Sequence, residues 1–287
     1  MNTLQAIILA IVEGFTEFLP ISSTGHLIIA NAILGIDPAN KFSKLYIVNI
    51  QFGAILSVLF LYWRRFLQSV NFYYKLFIAF LPAAVFGFLL NDFIDKLLES
   101  VTTVAISMIT GGIVLVWVDK FFKKNILDSL RDKDYEEVTE INELGIEVKT
   151  KRLKKFPITY RQAFIIGMYQ VISMIPGVSR AAITTLGGLI EGLNMKRAAE
   201  FSFFLAVPTI AAAAGFKLYK SFQSIRGSDM DLLIMGNIIA FVVAIIAIRF
   251  FIGIISRYGL KIFGWYRIVV GTAILLMLLS GKSLHVV

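Results

Sequence analysis

The sequence contains no cysteine, which excludes disulfide bonds, thiolate metal sites and a cysteine nucleophile. Charged residues are scarce, at 16% of the chain, whereas 57% of the residues are hydrophobic. Histidine occurs only twice, as His26 and His285. Any chemistry that needs an imidazole inside the apolar part of the chain therefore depends on His26.

The sequence contains several long apolar runs with few charged residues. Six of them approach the roughly 20 residues that a helix needs to cross a bilayer; they cover about 45–63, 76–91, 101–118, 201–216, 232–255 and 265–280. Two further stretches, about 4–36 and 158–195, are broken by Pro, Gly and Ser. A backbone break at membrane depth is tolerated only where it is buried in protein or lines a cavity. We therefore predict an all-α polytopic membrane protein in which the two breaks meet at one polar pocket.

Basic residues concentrate in the short connections between apolar runs. They include Arg64-Arg65, Lys196-Arg197 and the segment 257–267, and the formal net charge is +9. In a soluble chain this charge would suggest nucleic acid. Here the positive-inside bias and lipid headgroups explain it, so membrane lipids are expected partners and nucleic acid is not.

One hydrophilic interval, 119–157, divides a single membrane domain into two halves, 1–118 and 158–287. The interval is acidic over 128–147 and basic from 149 onward. We interpret it as a solvated loop or a short amphipathic helix, and we assign it no chemistry.

An internal repeat relates the two halves. It pairs Gln5 with Gln162, Glu13 with Gln170 and, after a one-residue gap, Pro20 with Pro176 and Ser23 with Ser179. Each broken stretch precedes three long runs. If each broken stretch is a re-entrant hairpin, three spans per half leave the halves inverted, and such repeats commonly enclose a site at the membrane midplane.

Two carboxylates lie in the first broken stretch, where ionisable groups are costly and usually functional. Glu13 and Glu17 are four positions apart, so in a helix they share one face and can hold a proton or a divalent cation between them. Mg²⁺ or Ca²⁺ takes oxygen ligands and works together with substrate phosphates. The alternative is that both carboxylates are satisfied by hydroxyls or basic residues and have no catalytic part.

The segment 20–26 combines a helix-ending proline, a glycine and the hydroxyls of Ser22, Ser23 and Thr24 just before an apolar run. Free amides at the start of the following helix, with its dipole, favour a phosphate group. The alternative is an ordinary N-cap, since Ser and Thr are preferred there regardless of function. The nearby His26 favours the functional interpretation.

The second break contains Gly177, Ser179 and Arg180. An arginine at membrane depth needs an anion, and its planar fork binds phosphate oxygens in a bidentate manner. The alternative is a structural ion pair with Glu13 or Glu17. Together, the two breaks contain the groups needed to hydrolyse a phosphate ester or anhydride.

The motifs at 13–26 and 176–180 resemble the two signatures of the undecaprenyl-diphosphatase family associated with bacitracin resistance. The segments 51–56, 63–65, 160–164 and 200–208 are also similar to that family, so the resemblance covers nearly the whole chain. One departure is Ala181-Ala182, where the family usually has Ser-Gly.

The resemblance implies six transmembrane helices and two re-entrant hairpins in a bacterial plasma membrane, with a site open to the outer face. It implies hydrolysis of undecaprenyl pyrophosphate to undecaprenyl phosphate and inorganic phosphate, which recycles the lipid carrier for peptidoglycan synthesis and confers bacitracin resistance. It also implies dependence on Mg²⁺ or Ca²⁺ and a polyprenyl pyrophosphate lipid as partner. A homodimer is left open as the assembly.

Carried over by position, the resemblance implies that the catalytic residues are Glu13, Glu17, Ser23, His26 and Arg180, with the two Glu residues holding the metal. It implies that the substrate phosphates are bound by Ser22, Ser23, Thr24, Gly177, Ser179 and Arg180. Attack by Ser23 and activation of water by His26 both remain open.

Two rivals differ in class. A flippase or secondary transporter is also built from inverted repeats around broken helices. The other superfamily of membrane phosphatases needs a second catalytic histidine, and no histidine lies between His26 and His285.

Overall fold

The structure is a computed structural model and describes most of the chain. The described residues are 1–37, 40–67, 69–90, 93, 94, 97, 100–131, 135–141, 147–153, 156, 158–221, 229–281 and 284. In order, the elements are α1 (Thr3–Thr16), α2 (Ser23–Leu34), α3 (Lys41–Phe66), α4 (Val70–Leu89), α5 (Val101–Phe121), α6 (Lys123–Arg131), β1 (Tyr135–Ile141), β2 (Glu147–Leu153), α7 (Tyr160–Ile172), α8 (Arg180–Ile190), α9 (Met195–Ser221), α10 (Met230–Tyr258) and α11 (Lys261–Leu279).

Six of the described helices are long and apolar enough to span a membrane, namely α3, α4, α5, α9, α10 and α11. Each coincides, within two residues at its C-terminal end, with one of the six predicted runs or contains it. The prediction of a polytopic helical membrane protein is therefore confirmed. Most of the helices extend beyond the apolar runs. For example, α3 begins at Lys41 and α9 ends at Ser221, because hydrogen bonding continues through polar flanking turns that no hydropathy pattern marks.

The two broken stretches form the helix pairs α1–α2 and α7–α8, and the members of each pair contact each other. These helices have 14, 12, 13 and 11 residues. At 1.5 Å per residue they are about 16–21 Å long, well short of the roughly 30 Å hydrocarbon core. Each pair is therefore a helical hairpin of the length that a re-entrant segment requires.

The repeat between the hairpins extends to individual hydrogen bonds. Gln5 and Gln162 each complete a capping box at the start of their hairpin. Gln5 Nε2 donates to the Leu34 carbonyl at 3.0 Å, and Gln162 Nε2 donates to the Glu191 carbonyl at 2.8 Å. The same side chain thus ties the beginning of each hairpin to its end.

At the break in each hairpin, the structure gives a residue pairing between the two halves that differs from the predicted one. Ser22 is the N-cap of α2 and Ser179 is the N-cap of α8, with φ 71° and 70°. The interval from Ser22 to Ser179 equals that from Gln5 to Gln162, so the repeat runs through the break without a gap. The predicted pairing of Ser23 with Ser179 is wrong, because equivalent caps, and not the two prolines, set the register. Ser23 corresponds to Arg180.

The helix contacts also follow the repeat. α1 packs against α10 and, in the other half, α7 packs against α4; α3 contacts α9, and α5 contacts α11. When the two halves are exchanged, the α1–α10 contact becomes the α7–α4 contact, and the α3–α9 and α5–α11 contacts map onto themselves. They support the predicted division at 1–118 and 158–287, whose limits stay a prediction.

The hydrophilic interval contains more regular structure than predicted. The helix α6 is the amphipathic helix that was one of our two interpretations, but β1 and β2 form an antiparallel hairpin that we did not predict. Its register places Glu136 opposite Arg152 and Glu137 opposite Lys151. Two strands thus form in an interval for which we expected a loop or a short helix.

Candidate active site

The two breaks lie side by side because one buried arginine binds both. Arg267 of α11 is fully buried. Its Nη1 donates to the carbonyls of Pro20 at 3.3 Å and Val178 at 2.8 Å, and its Nη2 donates to the Gly177 carbonyl at 2.9 Å. The prediction that the two breaks meet is therefore confirmed.

The same guanidinium also binds α5. Arg267 Nε donates to the Met108 carbonyl at 3.3 Å, and Nη2 donates to the Ser107 carbonyl at 3.0 Å. All five acceptors are backbone carbonyls. The buried, bridging role of Arg267 was not predicted, because the residue was grouped with the basic connection at 257–267. Its position inside the predicted run 265–280 was the signal that could have identified it, since an intramembrane arginine indicates a function by default.

Glycines bring α5 and α11 close enough for these bonds. A Cβ at Gly112 would lie 2.7 Å from the Gly264 carbonyl, and a Cβ at Gly264 would lie 2.7 Å from the Gly112 carbonyl. A Cβ at Gly111 would collide with the guanidinium of Arg267. Small residues at this contact therefore leave the room that the arginine fills.

The first break is buried in protein, as a non-helical segment at membrane depth must be. Phe18, Leu19 and Ile21 are all buried. Phe18 packs edge-to-face against Phe203 of α9, with ring centroids 5.5 Å apart. This packing holds the chain between Glu17 and Ser23 in place.

The carboxylate of Glu17, in the first hairpin, forms an ion pair with the second hairpin. Its Oε2 accepts a hydrogen bond from Ser23 Oγ at 2.9 Å, and its Oε1 lies 3.3 Å from Arg180 Nη2. Arg180 Nη1 donates to the Ser202 carbonyl of α9 at 2.8 Å, which fixes the guanidinium from its far side. Three predicted site residues from different parts of the sequence thus form one network.

Glu13 lies beside this network and is fully buried. Glu17, Gln51 and Arg180 surround its carboxylate. Gln51 and Glu17 lie against the carboxylate, but neither makes a well-formed hydrogen bond to its oxygens in the described structure. A buried carboxylate with incomplete hydrogen bonding is costly, so a proton or a cation would stabilise this position.

The predicted metal ligands supply two carboxylates only. Within the part of the chain that the structure describes, no group of three or more His, Cys, Asp and Glu side chains could hold a metal ion. The orphaned oxygens of Glu13 are nevertheless hard oxygen donors of the kind that Mg²⁺ and Ca²⁺ prefer. Glu13 and Glu17 would thus fit a divalent cation only if substrate phosphate and water completed its ligands.

Ser22 and Ser179 share an unusual backbone conformation. Among the described residues they are the two that have a positive φ without being glycine. Ser22 Oγ accepts from the Gly25 amide at 3.4 Å, and Ser179 Oγ accepts from the Ala182 amide at 3.3 Å. Such conformations cost about 1–3 kcal/mol each and persist where surrounding structure enforces them, often at active sites. Both hydroxyls are N-caps, which for Ser22 is the alternative interpretation of segment 20–26.

The helix that follows each cap presents first-turn amides. The amides of Ser23 and Thr24 begin α2, and those of Arg180 and Ala181 begin α8. First-turn amides have no acceptor within their own helix, and the helix dipole adds positive character. A phosphate at the junction of the hairpins would therefore meet donors from both.

Glycines in the breaks serve packing. A Cβ at Gly25 would collide with the Met108 sulfur, so α5 fills the space beside this glycine. Gly177 has φ +88°, and a Cβ there would collide with the Val104 carbonyl. The predicted contact of Gly177 with substrate phosphate stays a prediction.

His26 lies one turn beyond the cap and faces α11. Its Nδ1 is 2.8 Å from the Ser22 carbonyl oxygen, and its Nε2 is 2.8 Å from the Tyr266 hydroxyl. The two ring planes lie within 4° of parallel, with centroids 5.5 Å apart. His26 is therefore hydrogen-bonded to Tyr266. This contact was not predicted, because a lone aromatic residue near the end of a span carries no distinctive signal in the sequence.

The second hairpin lacks the carboxylates of the first. Gln170, which corresponds to Glu13, is buried, and its Oε1 accepts from Thr209 Oγ1 at 3.3 Å. Acidic groups thus come from the first hairpin and the arginine from the second, so the repeat is symmetric in backbone but not in charge.

The departure at Ala181-Ala182 lies in the first turn of α8 and not in the break. Both side chains are buried, and the Ala182 amide donates to the cap hydroxyl of Ser179. A glycine is not needed for this helical backbone. The substitution leaves the break and Arg180 in place.

Comparison with known proteins gives relatives along the whole chain. An undecaprenyl-diphosphatase of Bdellovibrio bacteriovorus is 50% identical over 287 residues, covering 100% of both chains. Proteins of the same name from Flavobacterium johnsoniae, 46% identical over 96% of each chain, and Porphyromonas gingivalis, 43% identical over 100% of each, are also similar. Residues 6–273 match the family described as bacitracin resistance protein BacA, and the chain belongs to that family.

Proposed function

We propose that this protein is an integral membrane phosphatase that hydrolyses undecaprenyl pyrophosphate to undecaprenyl phosphate and inorganic phosphate. The observation that carries the proposal is the network in which Glu17 binds both Ser23 and Arg180. It brings an acid, a hydroxyl and a guanidinium to the junction of the hairpins. The name that the full-length relatives share, undecaprenyl-diphosphatase, supports the same activity.

Binding of the pyrophosphate involves groups from both hairpins. Arg180 Nε is buried without a hydrogen bond in the described structure, so the guanidinium has donor capacity left for a phosphate oxygen. The first-turn amides of α2 and α8 add neutral donors. Together they stabilise the negative charge that develops on the transferring phosphoryl group.

Glu17 is placed to accept the proton of the attacking group. Ser23 Oγ already donates to its Oε2 at 2.9 Å. As the Ser23 oxygen attacks the terminal phosphorus, its proton passes to Glu17, and the bond to the bridging oxygen breaks to release undecaprenyl phosphate. A water then hydrolyses the phosphoserine. In the direct route, His26 removes the proton of a water that attacks the same phosphorus.

A divalent cation would be held by Glu13 and Glu17 and, when bound, would neutralise phosphate charge. Without it, the oxygens of Glu13 have no well-formed hydrogen bond among the described residues. Glu13 therefore acts in this proposal as a ligand, and Glu17 combines this role with proton transfer.

The first hairpin enters from the outer face. Three successive spans, α3 to α5, separate the first hairpin from the 119–157 interval, which therefore lies on the opposite side. Arg64, Arg65 and Lys196 lie at helix ends on the side of that interval. By the positive-inside rule this is the cytoplasmic side. The site then opens outward, as the resemblance implied, and a homodimer remains a prediction.

The test is phosphate release from undecaprenyl pyrophosphate by purified protein in detergent, with and without Mg²⁺ or Ca²⁺. Arg180→Lys should lose activity by about 100-fold or more, because an ammonium cannot bind Ser202 and Glu17 and still donate to the phosphate as the guanidinium does. The exposed Lys123→Gln serves as the matched control. Folded wild-type protein that releases no phosphate would refute the proposal, and transport of the lipid without hydrolysis would favour the flippase or transporter alternative.

A further inference from the structure

We propose that Tyr266 is a positioning residue for His26, an inference that rests on the proposed function. The hydroxyl of Tyr266 lies 2.8 Å from His26 Nε2. The hydrogen bond joins residues on α2 and α11 that are 240 positions apart in the sequence. No other part of the proposed mechanism uses Tyr266.

The contact on the other side of the ring sets the tautomer. His26 Nδ1 lies 2.8 Å from the Ser22 carbonyl oxygen, which can only accept a hydrogen bond. Nδ1 therefore carries the proton. In the neutral ring Nε2 then has a free lone pair, and the Tyr266 hydroxyl donates to it.

The aromatic ring of Tyr266 adds a second constraint. The imidazole and phenol planes lie within 4° of parallel. The ring and the hydroxyl of one side chain thus hold both the plane of His26 and the direction of its Nε2. Such control of a base by a neighbouring group is what a proton transfer at a stated atom requires.

The neighbouring residue on α11 makes this position rigid. Arg267 follows Tyr266 directly and binds the backbone of both breaks. The same turn of α11 therefore fixes the break and, through Tyr266, the imidazole that follows it. Because Tyr266 itself is 44% exposed, its hydroxyl can turn away when a water or substrate takes its place at Nε2.

The charged and titratable groups around His26 are few. From α11 they are Tyr266 and Arg267. Glu17, at the end of α1, is bound to Ser23 and Arg180 and not to His26. On α5, Met108 packs near Gly25 of the same turn. Within the described structure, Tyr266 is the group that occupies Nε2.

The chain offers a direct spectroscopic test, because it has only two histidines. His285→Gln leaves His26 as the single imidazole, and ¹⁵N-labelled histidine then reports its tautomer and hydrogen bonding by NMR. In this background Tyr266→Phe keeps the ring and removes the hydroxyl. We expect the Nε2 resonance to shift toward that of an unbonded acceptor nitrogen.

Kinetics supply the second readout. Tyr266→Phe should lower kcat by about tenfold, because the imidazole loses the hydrogen bond that orients it before the proton transfer, while KM changes less than twofold. Trp265→Phe is the matched control, since Trp265 is the adjacent exposed aromatic, and it should change neither readout. In a His26→Asn background, Tyr266→Phe should have no further effect.

The outcomes separate this inference from the proposed function. An unchanged His26 spectrum in Tyr266→Phe overturns the positioning role, whether or not kcat falls. An equal loss of activity in the His26→Asn background also overturns it, because the effect would then not act through His26. Wild-type protein without phosphatase activity would refute the proposed function, while the spectrum would still decide the contact.

Discussion

Glu17 and Arg180 form an ion pair at 3.3 Å although 163 positions separate them in the chain. Both side chains are about nine-tenths buried, at 9% and 11% exposed. Removing one partner of a buried pair leaves an uncompensated charge. The pair therefore couples the two hairpins in structure as well as in chemistry.

We predict that Glu17→Gln and Arg180→Lys are strongly non-additive. Each should reduce kcat/KM by about 100-fold or more, and the double variant should lose little further, because the residues act as one unit. Phosphate release by the two single variants and the double variant measures the coupling. Losses that multiply in the double variant would show that the two residues contribute independently.

Arg267 should be irreplaceable by lysine. Its five hydrogen bonds all go to backbone carbonyls, and an ammonium has three donors in a different geometry. Each buried carbonyl left unpaired costs about 1–3 kcal/mol. Arg267→Lys should therefore lower the thermal unfolding midpoint in detergent and abolish activity, whereas the exposed Arg257→Lys should do neither. A fully active, equally stable Arg267→Lys protein would contradict the bridging role.

Glu13 should show a trade-off between stability and activity. Its carboxylate is buried next to Glu17 and lacks well-formed hydrogen bonds, which destabilises the charged form in the absence of a cation. Glu13→Gln keeps the shape and removes the charge. We expect its unfolding midpoint in EDTA to rise above that of wild type, and its half-saturating Mg²⁺ concentration to increase by about tenfold. A wild-type Mg²⁺ response in this variant would exclude Glu13 as a ligand.

The absence of cysteine makes the topology directly measurable. Asp37 follows the first hairpin and Lys123 follows α5, and both are exposed. In intact cells, a membrane-impermeant thiol reagent should label Asp37→Cys, and it should label Lys123→Cys only after the membrane is permeabilised. The reverse pattern would place the first hairpin on the cytoplasmic side.

The amino-acid sequence determined the class of protein, the six spans, the two broken stretches and most of the candidate site. Glu13, Glu17, Ser23 and Arg180 were all identifiable because the bilayer imposes local rules. A span needs about 20 apolar residues, and a polar residue within it stands out against them. These rules act within a few turns of chain and are therefore visible in the sequence.

Only the tertiary structure decided how those residues meet. The register of the repeat, the bonds of Arg267 to both breaks and the contact of Tyr266 with His26 all join segments far apart in the sequence. The acceptors of Arg267 are backbone carbonyls, which every residue carries, so no residue type marks them. Close packing of the helices brings these groups within hydrogen-bonding distance, and that depends on the whole fold.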